Sequence, residues 1–324
     1  MNLRPLALFV ALVAVPAQAA PLQMEASRPD GSTIHWYLDR PDTDGKIGLV
    51  VLAQGSGCQS ALKNQNVALV RQTFAGFAAL TVDKYGVAPG DDPADPFGKG
   101  CGAEFNAHHT MTQRVEDYAQ VLKSLGDARW WNGQLVLFGG SEGGDIAARL
   151  SAEVEADAVV LLSTGGGVTF GEMVRQSILG EMARLSVPRE QWPQVDAAFE
   201  KARKEPMNPE LWSGSSYRFW ADAIDNRPAD SMLRSSAQLL LIQGGIDTST
   251  PVSAARITLD MFAAAGRCNL TYWEFPAYDH LMSDSAGGSH MADVLSQAAV
   301  WVDTRLAADA APSCGSLPAT AAVE

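Results

Sequence analysis

Along the chain, short unbroken apolar runs alternate with longer segments whose apolar residues recur at helical spacing. Gln23–Ser27 and Thr33–Asp39 alternate like half-exposed strands, with Asp30-Gly31 between them as a hairpin turn. Ile47–Ala53 is apolar throughout, as in a strand buried on both faces. The spacing predicts a helix over Leu62–Ala75 and a strand over Ala78–Val82. A Gly-, Pro- and Asp-rich stretch, Tyr85–His109, reads as a long loop, and Met111–Leu125 as the next helix. Strand Leu135–Phe138, helix Gly143–Val154 and strand Ala158–Leu162 follow. After an interruption come strand Gln238–Ile242, helix Val252–Ala265, strand Leu270–Phe275 and helix Met291–Leu306.

Strands that alternate with helices predict an α/β protein with a doubly wound, mostly parallel sheet and an antiparallel start. The interruption, from about Ser163 to Ala237, has helical patterns around Gly171–Leu185, Arg189–Lys204 and Leu211–Ile224, and no strand. Trp192, Trp212, Tyr217, Phe219 and Trp220 give it large apolar side chains. Residues 163–237 therefore read as a helical cap inserted over the C-terminal edge of the sheet, with 21–162 and 238–306 forming the core. The Ala/Pro-rich tail, 307–324, is expected to be loose apart from Cys314. No internal repeat interrupts this order.

The N-terminal end changes the picture of where the protein works. Arg4, the apolar run Leu6–Val15 and the small-residue stretch Pro16–Ala20 match a secretory signal peptide, cleaved after Ala19 or Ala20. The run is too short to anchor the chain in a bilayer, and no later stretch approaches about 20 apolar residues. A periplasmic or secreted protein of about 300 residues without a membrane anchor is expected. Its formal net charge of −13 repels phosphate backbones, which argues against a nucleic-acid partner. Four cysteines in an exported chain suggest two disulfides, with three pairings open. Cys58 and Cys101 both follow apolar strands on one rim of the sheet, whereas Cys268 and Cys314 belong to the opposite rim. Pairing across rims would exceed disulfide reach, so Cys58–Cys101 and Cys268–Cys314 are expected.

The candidate chemistry starts at Leu135–Gly144, LVLFGGSEGG. An apolar strand ends here in Gly139-Gly140-Ser141-Glu142-Gly143, a G-x-S-x-G turn, and a helical pattern follows. Strand, turn and helix in that order form a nucleophile elbow, which lifts the Ser141 hydroxyl to a helix N-terminus. A serine needs a base to take its proton and a third group to orient that base. Of the five histidines, His280 lies just past strand Leu270–Phe275, on the same rim as Ser141. His290 is the alternative base; His108 and His109 read as capping or exposed residues, and His35 sits away from the rim. Asp247, past strand Gln238–Ile242, can accept the imidazole N–H; Asp279, next to His280, is a weaker candidate.

The chain order Ser141, Asp247, His280 resembles the α/β-hydrolase superfamily. Gln54-Gly55-Ser56-Gly57 and the Val82–Val87 stretch look like the serine-aminopeptidase and dienelactone-hydrolase-like branches, although Gln54 stands where many relatives have His. The resemblance spans about Gln23 to Leu306. It implies a sheet of about eight strands, a helical cap after the sixth and no cofactor. It also implies an oxyanion hole from the backbone N–H groups of Glu142 and Ser56, which a Cys58–Cys101 bond would hold still. The Glu142 carboxylate could favour the helix N-terminus or bind a cationic substrate group.

These residues point to a serine hydrolase cleaving carboxylic esters of small or medium acyl chains. A peptidase acting on short peptides is the alternative, with Glu172, Glu181, Glu190, Asp222 and Asp225 of the cap as candidate amine ligands. A catalytically dead scaffold used for binding is the third reading. A metal enzyme is not expected: the chain has no H-E-x-x-H, and adjacent histidines such as His108-His109 chelate poorly.

Overall fold

The computed structural model describes residues 20–307. The leader expected over Met1–Ala19 and Cys314 in the tail lie outside the described residues. Strands β1 (Leu22–Ser27) and β2 (Thr33–Asp39) form the expected hairpin, and β3 (Ile47–Ala53) enters the middle of the sheet. Helix α1 (Gln65–Thr73) begins later than its apolar pattern, because the Asn64 side chain caps it by accepting the Asn66 and Val67 amides. After β4 (Ala78–Val82), the stretch expected as one long loop contains a short helix, α2 (Ala103–His108). Helix α3 (Met111–Ser124), strand β5 (Trp131–Gly140), helix α4 (Glu142–Leu150) and strand β6 (Ala158–Leu162) continue the alternation.

Between β6 and the next core strand lie α5 (Phe170–Arg184), a 3-10 turn (Arg189–Gln191) and α6 (Pro193–Lys204). A two-stranded ribbon, β7 (Leu211–Trp212) and β8 (Ser215–Ser216), precedes α7 (Tyr217–Ala223) and α8 (Pro228–Arg234). This corrects the expectation of a helix over Leu211–Ile224 and of a strand-free segment. Ser213 and Gly214 both take positive φ, +45° and +84°, which turns the chain into a tight hairpin before a helix can start. Helix α7 then starts only at Tyr217, where the Ser216 hydroxyl accepts the Phe219 amide. Pro193 at the first position of α6 likewise splits the pattern read as one helix over Arg189–Lys204. Strand β9 (Gln238–Gly244), helix α9 (Val252–Ala264), strand β10 (Leu270–Phe275) and helix α10 (Met291–Ala307) complete the order.

The sheet has eight strands in the order β1-β2-β4-β3-β5-β6-β9-β10. β2 pairs antiparallel with β1 and β4, and every later pairing is parallel. Alternate residues of β3 feed two cores, as a strand covered on both faces must. Leu49, Val51 and Ala53 pack with α3 and α4. Val50 and Leu52 pack with α1 and α10. Truncating a buried residue such as Leu137 or Ile146 to alanine removes contacts worth about 2–5 kcal/mol.

The expected Cys58–Cys101 disulfide is present, with the two Cα atoms 5.6 Å apart. Cys268 is also disulfide-bonded.

Candidate active site

The turn from β5 into α4 leaves Ser141 at φ +54°, ψ −128°, a conformation that costs a non-glycine residue about 1–3 kcal/mol. Two of the glycines near it have no room for a side chain. A Cβ on Gly139 would lie 2.0 Å from the carbonyl oxygen of Gly143, and one on Gly143 would lie 2.0 Å from that of Ala53. The Ser141 amide donates to the Leu162 carbonyl at 2.9 Å, which ties the elbow to β6. Glu142 opens the helix, so its own N–H has no intrahelical acceptor. The loop after β3 runs alongside: a Cβ on Gly55 would stand 3.7 Å from that of Ser141.

Asp247 and His280 come together from the ends of β9 and β10. His280 Nδ1 lies 2.8 Å from Asp247 Oδ2. The carboxylate is held in place by others: Oδ2 accepts from Gln243 Nε2 at 2.9 Å, and Oδ1 accepts the Ser249 and Thr250 amides at 2.8 Å each. Asp247 is buried, whereas His280 and Ser141 line one cavity of about 980 Å³ together with Ser56. Phe170, Val174, Ile178, Phe219 and Trp220 contribute apolar side chains to the same lining.

The other candidate bases are engaged elsewhere. His290 pairs with Asp284 at 2.9 Å and stacks on Tyr278. Asp279 accepts the Leu281 and Ser283 amides and shapes the loop around His280. His35 on β2 faces Glu25 on β1, and His108 stacks on Tyr85. His109 departs from the expectation of capping or exposure. Thr110, not His109, caps α3, and the short helix α2 folds His109 inward. It lines the cavity, buried between the rings of Phe105 and Phe219. Burial lowers its pKa to about 4, so the ring is neutral near neutral pH.

Sequence reasoning missed a buried charge cluster around Glu142. The Glu142 side chain is buried and engages three basic side chains rather than serving the helix end alone. Its Oε1 lies 2.6 Å from Arg114 Nη1, 3.4 Å from Lys84 Nζ and 3.6 Å from His109 Nε2. Burial opposes the charge on Glu142, but Lys84, His109 and Arg114 outweigh it and hold the carboxyl well below its ordinary pKa. Burial pulls Lys84 down to about 7 against the attraction of Glu142. Both cations also hold the loop after β3: Lys84 Nζ donates to the carbonyls of Gly55 and Gly57 at 2.6 Å each, and Arg114 Nη2 to that of Gln54 at 2.7 Å.

The acidic residues offered as amine ligands are placed elsewhere. Glu181 pairs with Arg184 and Asp225 with Arg203 on the surface, and Asp222 accepts from Thr112 of α3. Neither these three nor Glu172 and Glu190 line the cavity.

No family model matches the chain, and no curated protein matches its sequence. Solved structures do match its fold. Est1E from Butyrivibrio proteoclasticus superposes with a TM-score of 0.58 at 16% identity, over 88% of this chain and 99% of that one. An esterase from Pyrococcus furiosus gives 0.60 at 14% identity, over 88% and 91%. The acylaminoacyl peptidase of Pyrococcus horikoshii gives 0.60 at 12% identity, over 90% of this chain and 42% of that one. The chain has the α/β-hydrolase fold.

Proposed function

We propose that the protein is an exported serine hydrolase that cleaves carboxylic esters with an apolar acyl group. The observation that carries this reading is the Asp247–His280 contact of 2.8 Å, with His280 and Ser141 on one cavity whose lining includes the apolar side chains of Phe170, Val174, Ile178, Phe219 and Trp220. In this reading Ser141 Oγ attacks the acyl carbon while His280 takes its proton through Nε2. Asp247 holds the imidazole in the tautomer with Nδ1–H and stabilises the imidazolium. The backbone N–H groups of Ser56 and Glu142 receive the negative oxygen of the tetrahedral intermediate. His280 returns the proton to the departing alcohol, and water then frees the acid from Ser141 by the same route in reverse.

Residues 163–237 act as the cap, with α5 and α7 supplying the acyl-binding wall. The leader-like N-terminus and the Cys58–Cys101 bond support export to an oxidising compartment. No helix among the described residues is long and apolar enough to cross a membrane.

The test is a rate comparison on p-nitrophenyl butyrate and alanine p-nitroanilide, with Ser141→Ala as the blank. Ser141-dependent ester cleavage that exceeds anilide cleavage by orders of magnitude supports the esterase. Clear Ser141-dependent anilide cleavage makes the protein a peptidase, and silence on both substrates returns it to the binding-scaffold reading.

A further inference from the structure

Lys84 and Arg114 do not line the cavity, yet they grip the main chain of the loop that borders it. A trans peptide unit is planar, so its C=O and N–H point in opposite directions. No peptide bond among the described residues is cis. The carbonyl of Gly55 and the amide of Ser56 belong to one such unit. Fixing that carbonyl on the buried Lys84 side chain turns the Ser56 N–H the other way, away from Lys84, in a loop that lines the cavity together with Ser141. The next carbonyl held by Lys84, that of Gly57, shares its unit with the Cys58 amide, which donates to Pro96 O at 3.0 Å. The preceding one, that of Gln54, is held by Arg114.

Glycines on both sides of Ser56 make this segment intrinsically free to flip its peptide planes. Gly57 already sits at φ +98°. The loop therefore needs external restraint to present one donor in one direction. The same two cations meet on the carboxylate of Glu142, whose backbone N–H is the other donor in the reading above.

We propose that Lys84, Arg114 and the Glu142 carboxylate form a buried clamp that positions the oxyanion hole, locking the Ser56 N–H in register with that of Glu142. The inference rests on the hydrolase reading. The three side chains are positioning groups: in this reading they act through the backbone donors of Ser56 and Glu142, which meet the oxyanion. The clamp is built from side chains of the β4 end, α3 and α4, so it binds the two donors to one rigid unit.

The decisive experiment uses Lys84→Met and Glu142→Gln in the full-length protein, each checked by circular dichroism and cooperative melting. Glu142→Gln retains the backbone donor and nearly the same shape, so it carries the test if Lys84→Met does not fold. Loss of one oxyanion donor lowers kcat about 100- to 1000-fold in other hydrolases, so a misaimed donor should lower it about 10- to 100-fold with KM little changed. Affinity for a trifluoromethyl ketone, which forms a tetrahedral adduct on the serine, should fall in parallel with kcat/KM. The double variant should lose little more than the worse single one, because the residues act as a unit.

Folded variants that keep kcat within about twofold, or that raise KM while leaving ketone affinity intact, overturn the clamp. Labelling of the wild type by a fluorophosphonate separates the two levels of inference. An active, labelled wild type with unaffected variants refutes the clamp alone, whereas a wild type neither active nor labelled at Ser141 removes the hydrolase reading as well.

Discussion

The hydroxyl of Ser163 donates to the carbonyl oxygen of His280 at 2.9 Å, tying the end of β6 to the loop that carries the histidine. Ser163 is itself held at φ +52°, with its amide on the carbonyl of Ile242. The backbone beneath the imidazole is thus fixed from one side by Ser163, while Asp247 fixes the ring from the other. Ser163→Ala removes one hydrogen bond worth about 1 kcal/mol, so kcat should drop about fivefold. Steady-state kinetics beside a urea titration check this; an unchanged kcat would show that the His280 loop holds itself.

Asp247→Asn should lower kcat by about three to four orders of magnitude while leaving the fold intact, because the amide favours the wrong imidazole tautomer. The asparagine would still accept the Ser249 and Thr250 amides through its remaining oxygen. Kinetics and circular dichroism on the same preparation separate a lost role from a lost structure. A near-normal rate would transfer the orienting role to another carboxylate.

The Cys58–Cys101 bond closes a stretch of 43 residues that includes the loop after β4. Removing it as the Cys58→Ser, Cys101→Ser pair should cost up to about 4 kcal/mol in unfolding free energy, on the chain-entropy account. The pair also frees Cys58 two residues after Ser56, so kcat should fall more than KM rises. Urea midpoints and kinetics with and without the bond test both halves.

His109 gives the protein an acid-sensitive element. Its folded pKa of about 4 lies below the unfolded value of about 6.5. Between those values the unfolded chain binds a proton that the folded one refuses, so stability is full above pH 6.5 and lost as pH falls toward 4. The loss is on the order of 3 kcal/mol. Glu142, Lys84 and Arg114 face the ring and share its titration. His109→Phe, which keeps the stacking on Phe105 and Phe219, should flatten the decline in urea midpoint between pH 7 and pH 4.5. An equal decline in the variant would assign the acid lability to other groups.

The sheet was legible in the sequence because each central strand is a continuous apolar run, and because the chain returns to the same rim after every strand. That regularity also marked the strand ends that carry Ser141, Asp247 and His280. The Ser213-Gly214 hairpin escaped notice because two-residue strands have no periodicity to detect. α2 escaped because six residues in a Gly- and Pro-rich stretch barely exceed one turn. The Lys84–Arg114–Glu142 cluster was illegible for a different reason. Its members come from three separate elements, and a lone charge in a sequence ordinarily belongs to a solvated surface. Pairing with the Glu142 carboxylate and with main-chain carbonyls explains why Lys84 and Arg114 tolerate burial. One signal was present: Glu142 follows the serine in an otherwise glycine-lined turn, where a bulky charged side chain needs somewhere to go.

The apolar wall and the proposed catalytic groups reside on different stretches of chain. Val174 and Ile178 stand on α5, within the segment between β6 and β9, whereas Ser141, Asp247 and His280 stand on loops at the ends of β5, β9 and β10. A change of side-chain volume on α5 can therefore reshape the space offered to a substrate without disturbing the strands that aim the reacting atoms. Such a division lets natural variation, or a directed library confined to that helix, explore new acyl groups while the inherited machinery stays intact.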